Sequence, residues 1–408
     1  MRILMLSTNY HPVIGGAESY CRDLAAGLAG RGHQVTVFTD GSSAAEDSTV
    51  CEEGGVTVVR ERSYLAHLSG PDVSTWEQMA FGLLPAVSRS IDLAGVDVIH
   101  ANSQDTALLG TVLKLQHDIP LVVTSHEVQR ERGPAGAGRC RLVFEHLPVD
   151  AHIAVSAYYE NVARNFGAVN LRRIDLGVDL SRFTPAAPGP ARRRLGIGPD
   201  EIVLTCIARF KQRKGLLELI EATRLVADAV PQLRVLLVGT TSSGSQAYAA
   251  SMRRRIGELD LTDRVQLIED CGHDQIAGLL HASDVYVQPS HVEGLGMAAL
   301  EAMACGVPVV ASDTDGLREA VQPGISGLLA PVGEPAALAD VIRRLLGDRH
   351  LRERLIAGGL ARVQALTVER MVVRTEALYQ SLITRSVGRP IVEETVTGLV
   401  LAGEGRAA

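Results

Sequence analysis

Short apolar runs, too brief for helices and too uniformly apolar for one-sided strands, recur along the chain with helix-length segments between them. In the first half, Arg2–Ser7, Gln34–Thr39, Val96–His100 and Leu121–Ser125 read as strands, with helices predicted over Ala17–Gly30 and near Thr106–Gln116. A strand that is apolar on both faces must be covered on both faces, which a parallel sheet sandwiched by helices achieves. The stretch Thr184–Pro199 (TPAAPGPARRRLGIGP) is rich in proline and glycine, holds no period and reads as a linker. The rhythm then restarts. Strands are predicted at Ile202–Ala208, Arg234–Gly239, Gln266–Glu269, Asp284–Pro289 and Val307–Ser312, and helices at Leu216–Asp228, Met297–Ala304, Ala336–Gly347 and Ala361–Ser381.

The expected organisation is therefore a Rossmann-like domain over 1–180, a linker over 181–200 and a second Rossmann-like domain over 201–365. A C-terminal helix over 366–385 is expected to pack back on the first domain, and the tail 386–408 is expected to be flexible. Two such domains in tandem place a ligand cleft between them, at the carboxyl ends of their strands.

Composition narrows the function class. With 40 basic and 47 acidic residues the formal charge is −7, which argues against a nucleic-acid binder that neutralises phosphates. An aromatic fraction of 4% leaves little on which bases could stack. The six cysteines (Cys21, Cys51, Cys140, Cys206, Cys271 and Cys305) form no CxxC pair, as expected of a reducing, cytoplasmic setting. The opening MRILMLSTNY has no secretory leader pattern, and no run approaches the ~18 apolar residues that span a membrane. Only three of the basic residues are lysine: Lys114, Lys211 and Lys214. Two of these fall within Arg209-Phe-Lys-Gln-Arg-Lys-Gly215, where arginine would be this chain's default.

The richest segment is Gln288–Ser312, QPSHVEGLGMAALEAMACGVPVVAS. A strand ends at Pro289, a loop carries Glu293, Gly294, Leu295 and Gly296, and a helix begins at Met297. Glycines at a strand-to-helix turn let backbone N–H groups approach an anion, and the helix N-terminus adds roughly +0.5 of a charge. That combination is a seat for a diphosphate. Glu301 lies about two helical turns beyond Glu293, so the two carboxylates cannot act as a close pair on one helix face. One can meet the sugar end of a ligand while the other accepts from ribose hydroxyls. Arg209 and Lys214 follow the strand at Ile202–Ala208 and offer two fixed cations to a leaving diphosphate. Gly15 and Gly16 follow the first strand, where a larger side chain would block the approach of a donor phosphate or an acceptor.

Two glutamates eight apart, set in PSHVEGLGMAALEAMACGVPVVAS, resemble the donor site of the family-4 retaining glycosyltransferases of the GT-B fold. Further segments are similar to the same family: Tyr10-His-Pro-Val-Ile-Gly-Gly-Ala-Glu18, Arg31-Gly-His-Gln-Val-Thr-Val37 and Arg173-Ile-Asp-Leu-Gly-Val-Asp179. The resemblance implies an α/β GT-B protein, two Rossmann-like domains facing each other across a cleft. It implies transfer of a sugar from a nucleotide sugar, most commonly UDP-linked, to an acceptor hydroxyl, with no metal and no cofactor. It also implies that Arg209 and Lys214 bind the donor diphosphate and that His126, after the strand at Leu121–Ser125, sits close to the reacting sugar. The expected catalytic residues are thus His126, Glu293, Arg209 and Lys214. Gly15, Gly16, Gly294, Leu295, Gly296, Met297 and Glu301 complete the expected donor site.

Other features are expected to carry no chemistry. Asp313-Thr-Asp315 spells a metal motif of a different glycosyltransferase fold and reads here as a loop. Arg192–Arg194 and Arg253–Arg255 read as solvated faces. His100 with Asn102 departs from the paired histidines of the family, and Asp315 stands where the family usually has a glycine. The first 178 residues hold 14 basic and 20 acidic residues, so a basic membrane-facing half is absent and peripheral membrane contact is not favoured. The expected partners are a nucleotide-sugar donor and a small soluble acceptor such as a sugar or aminocyclitol, not nucleic acid. The alternatives are a lipid-linked or cell-envelope glycan acceptor and, in another class, a nucleotide-sugar epimerase.

Overall fold

The computed structural model describes all residues except 14, 42–47, 63–75, 127–133, 241–245, 270 and 388–408. The first sheet contains β1 (Arg2–Leu6), β2 (Gln34–Asp40), β3 (Ser48–Glu53), β4 (Val56–Glu61), β5 (Val98–Ala101), β6 (Leu121–Thr124), β7 (Ala151–Ala154) and β8 (Leu171–Arg173). Its order is β3-β4-β2-β1-β5-β6-β7-β8, parallel throughout except for the β3–β4 pair. That pair turns at Gly54 and Gly55, which both take left-handed φ. Sequence reading placed no element there.

The second sheet contains β9 (Ile202–Ile207), β10 (Leu233–Gly239), β11 (Val265–Glu269), β12 (Val285–Gln288), β13 (Val309–Ser312) and β14 (Gly327–Ala330). It runs β11-β10-β9-β12-β13-β14, all parallel. The uniformly apolar runs are buried on both faces: Ile3, Leu4, Met5 and Leu6 in β1 and Val285, Tyr286 and Val287 in β12 are all inaccessible or nearly so.

These strand orders decide where a site can form. In the first sheet the succession reverses at β1, which lies between β2 and β5; in the second it reverses at β9, between β10 and β12. Chains leaving two such neighbouring strands turn to opposite faces of the sheet and leave a crevice at the carboxyl edge. Both crevices face the same space between the domains.

Three expectations change in detail. The proline-rich stretch holds a helix, Pro188–Arg194, with proline in its first turn, where the missing N–H costs nothing. Arg192 is buried rather than solvated. Its guanidinium donates to Asp284 Oδ2 (2.6 Å) and to the carbonyls of Glu201 (2.9 Å) and Ala282 (3.2 Å), so a dense set of acceptors satisfies the buried charge. The continuous helix predicted over Ala361–Ser381 is broken into Arg349–Val363 and Val368–Val387. The break is where Val178 N–H donates to Leu366 O (2.8 Å) and Val368 N–H to Val178 O (3.1 Å), a strand-like bridge between two interdomain passages. Arg253 and Arg255 stay at the surface in ion pairs with Glu269 and Glu221. The tail expected to be flexible from Ser386 lies, beyond Val387, outside the described residues.

The helix Val368–Val387 lies against Gly16–Gly30 of the first domain. A β-carbon on Gly27 would collide with Val372, so the missing side chain permits this close packing. Tyr379, fully buried, donates to or accepts from His100 Nδ1 at 2.5 Å. Glu376 accepts from Arg31 (2.7 Å) and from His33 Nε2 (2.6 Å). The His33 hydrogen bond and the Arg31 guanidinium hold the Glu376 carboxyl below the usual carboxylate range, against the opposing effect of burial.

A group whose folded-state pKa is depressed stabilises the fold above its unfolded value and stops doing so as pH falls through the folded one. Glu376→Gln is therefore expected to lower stability at pH 7 by about 1–2 kcal/mol. The deficit should shrink once the pH drops below about 4.3, the ordinary glutamate value. Urea unfolding followed at several pH values measures both.

Candidate functional site

The two crevices form one cavity of about 700 Å³, a size that suits a nucleotide-sized ligand together with a smaller one. All eleven residues singled out in the sequence line it.

On the second domain, β9 ends and the chain passes Arg209 into the short turn Gln212–Lys214. Gly215 then takes φ +66°, and a β-carbon there would collide with the Pro289 carbonyl. Only glycine lets the RFKQRK segment approach the end of β12 this closely. The loop after β12 carries Glu293, Gly294 and Leu295 to Gly296, which takes φ +88° and starts the helix Met297–Ala304. Arg209, Lys211, Arg213 and Lys214 therefore stand on the same wall as a helix N-terminus. Burial, and then its cationic neighbours Arg209, Arg213 and Lys214, push the Lys211 ammonium below its ordinary value. A wall that so disfavours its own protons is suited to an anion.

The two glutamates occupy opposite electrostatic surroundings. Glu293 forms a buried ion pair with Lys214 and accepts from Gln288 Nε2 at 2.9 Å. Burial alone would raise its pKa, but Lys214 outweighs this, with help from Arg213 and Gln288, and holds it below the usual range. Burial pushes the Glu301 carboxyl up to about 7. Arg182 and Arg22 oppose that rise, and Asp23 reinforces it. Glu293 is thus a fixed anion, whereas Glu301 titrates near neutrality. Sequence reading treated Lys214 and Glu293 as contacts to separate parts of a donor. In the structure they contact each other.

On the first domain, Gly15 is extended and Gly16 opens the helix Gly16–Gly30. A β-carbon on Gly15 would run into the Glu18 carboxylate, whereas one on Gly16 would meet nothing. His126 follows β6, with its ring 4.8 Å from that of Tyr20. Burial pushes His126 down to about 3, so the ring is neutral at physiological pH. Asn102 places Oδ1 3.1 Å from His126 Nε2 while its amide donates to Ala17 O (3.1 Å) and Ser7 Oγ (3.3 Å). A backbone carbonyl can only accept, so the amide nitrogen faces Ala17 and the oxygen faces the histidine. His126 Nε2 then carries the proton. His100, the other histidine of this strand pair, is buried beneath the site and bonds to Tyr379 and to Thr124 Oγ1 (2.7 Å).

The Asp313-Thr-Asp315 segment is spent on structure. Asp313 pairs with Arg318, and Thr314 caps the helix Asp315–Ala320 by accepting from Leu317 N–H (3.3 Å). Sequence reading missed Ser156 and Tyr159. Ser156 Oγ donates to Gly294 O (2.9 Å) and Tyr159 Oη to His126 O (2.7 Å), so a first-domain helix touches both walls of the cleft. Its signal was present: the strand-like AHIAV followed by serine, an N-cap residue, marks a helix start at the carboxyl edge of the sheet.

Residues 14–182 match the family described as Glycosyltransferase Family 4, and residues 190–362 match Glycosyl transferases group 1. The chain is 30% identical to the D-inositol 3-phosphate glycosyltransferase of Pseudarthrobacter chlorophenolicus, over 97% of this chain and 99% of that protein. It is 31% identical to the protein of the same name from Geodermatophilus obscurus, over 93% and 89% of the two chains. Among solved structures it is similar to the sucrose-phosphate synthase of Thermosynechococcus elongatus, with a TM-score of 0.80 and 27% identity over 94% of this chain and 99% of that one. Its fold is also that of Anabaena HepE solved with UDP and glucose, with a TM-score of 0.76 and 24% identity over 94% and 100% of the chains. With one family match on each wall of a cleft between two Rossmann-like domains, the chain belongs to the family-4 glycosyltransferases of the GT-B fold.

Proposed function

We propose that the chain moves a sugar from a UDP-linked donor to a hydroxyl of a small polyol or sugar, with retention at the anomeric carbon. The observation that carries this reading is the convergence of Arg209, Lys214 and the Met297–Ala304 helix start on one wall of the cleft. The relatives with an inositol phosphate in their name support a hydroxylated ring as the acceptor class.

In this reading the donor diphosphate lies against the helix start, with Arg209 and Lys214 as its cations. The bond from the anomeric carbon to the diphosphate oxygen breaks, and its electron pair leaves with the diphosphate. Charge grows there, so the two cations and the helix amides bind the transition state better than the ground state. The acceptor oxygen attacks from the face the diphosphate leaves, and its proton passes to the leaving phosphate oxygen. Glu293, ionised throughout the physiological range, accepts hydrogen bonds from the sugar hydroxyls. Neutral His126 orients a hydroxyl rather than exchanging a proton with bulk water. Glu301 takes the ribose hydroxyls.

A screen of nucleotide sugars against acceptors, read by mass spectrometry, tests the reading, and NMR of the product's anomeric proton tests retention. Donor consumption without any acceptor adduct would overturn it in favour of an epimerase. Lys214→Ala should lower kcat by about 10²–10³-fold with the circular dichroism spectrum unchanged. Near-normal turnover would remove the cation clamp. If ribose binds the ionised Glu301, affinity for a UDP-sugar should improve about tenfold between pH 6 and pH 8. The Glu301→Gln variant should bind more weakly and show no such slope. Calorimetric titration at several pH values measures it.

A further inference from the structure

Three contacts from one short segment of the first domain reach the second, two on the donor loop at Gly294 and one on Glu319 of the helix Asp315–Ala320. Ser156, buried, donates to Gly294 O at 2.9 Å. Ala157 N–H donates to Glu319 Oε2 at 2.7 Å, and the same carboxylate pairs with Arg173 of the first domain. Tyr159, 7% exposed, sets the hydroxyl end of its phenol against Gly294 so closely that a β-carbon there would collide with Oη and the adjoining ring carbons, and the same hydroxyl donates to His126 O at 2.7 Å. On its other side the Glu293–Gly294 turn rests on Gly316, where a β-carbon would strike the Glu293 carbonyl. The turn that carries Glu293 is thus held between Gly316 of its own domain and Tyr159 of the other.

From this geometry we propose that Tyr159 is a positioning residue, a strut that sets the separation between the His126 main chain and the Glu293–Gly294 turn when the domains close. The phenol is rigid, with few rotatable bonds, and its hydroxyl end meets both walls: it packs against Gly294 and donates to His126 O. Ser156 and Glu319 prevent the helix that carries it from sliding. Reacting groups supplied by two domains are aligned only at one interdomain distance, and a misplacement of about 1 Å costs roughly 10²-fold in rate. The strut rests on the proposed function in one respect: the cleft it spans is where transfer occurs.

The test combines Tyr159→Phe, Tyr159→Ala, Gly294→Ala and the Tyr159→Ala/Gly294→Ala double variant in the full chain, with thermal unfolding as the control for folding. Tyr159→Ala should lower kcat by about 10–100-fold while changing the donor KM less than about threefold, and should raise the fraction of donor lost to hydrolysis as water enters a loosened cleft. Tyr159→Phe, which keeps the ring, should lose about threefold to tenfold. Gly294→Ala alone should be impaired because its methyl group strikes the hydroxyl end of the Tyr159 phenol, and the double variant should be no worse than the worse single one. Losses that simply multiply, or a Tyr159→Ala enzyme with normal kcat and hydrolysis fraction, would overturn the strut.

Small-angle scattering with and without UDP provides a readout independent of turnover. UDP should compact the wild type and Tyr159→Phe but not Tyr159→Ala. Equal responses in all three, compaction or none, would overturn the strut. A wild type that UDP compacts but that transfers no sugar from any nucleotide sugar would refute the proposed function and leave the strut standing.

Discussion

The chain passes between its two sheets twice, and the two passages lie side by side. Val178, on the way into the second domain, exchanges backbone hydrogen bonds with the Leu366–Val368 stretch on the way back. A β-carbon on Gly177 would collide with the Thr367 backbone, so the two strands of chain are in contact along their main chains. The helix Val368–Val387 then returns to the first domain, burying Val372 and Tyr379 and engaging Arg31 and His33 through Glu376. Because both passages are pinned at one place, the carboxyl edges of both sheets look into the same space. A parallel sheet offers a binding crevice only at its switch point, so the cavity exists because two switch points face each other.

Within that cavity the division of labour follows from electrostatics. The second domain contributes cations and a helix N-terminus, which suit a ligand that already carries charge and gains more as a bond breaks. The first domain contributes glycines at the start of the helix Gly16–Gly30 and a histidine that burial keeps neutral. Two glutamates on one loop and helix acquire different characters from different neighbours: Lys214 keeps Glu293 ionised, while burial among weaker counter-charges brings Glu301 to about 7. The chemistry is therefore a property of where each carboxylate points, not of its residue type.

What could be read without coordinates was local. The strand, loop and helix around Glu293 and Glu301 are contiguous in the chain, and so are Arg209 and Lys214 at the end of β9. Their types and spacing carried the fold and picked out residues that line one cavity. Two of the readings that failed involved partners far away in sequence. Arg192 looked like part of a solvated basic run, but Asp284 and the carbonyls of Glu201 and Ala282 enclose it. The break before Val368 has no helix-breaking residue; its cause is the bridge to Val178, nearly 190 positions earlier.

Apolar runs of strand length, glycines in the loops beyond them and cations after β9 determined that two parallel-sheet domains would present a cationic wall, because burial on two faces and close backbone approach are satisfied by residue type and short spacing. The ion pair of Lys214 with Glu293, the tautomer that Asn102 imposes on His126 and the seating of Tyr159 on Gly294 were decided only by the tertiary structure. Each joins groups that the chain brings from distant positions. A hydrogen bond or steric contact depends on tenths of an ångström, and only the packed fold sets those distances.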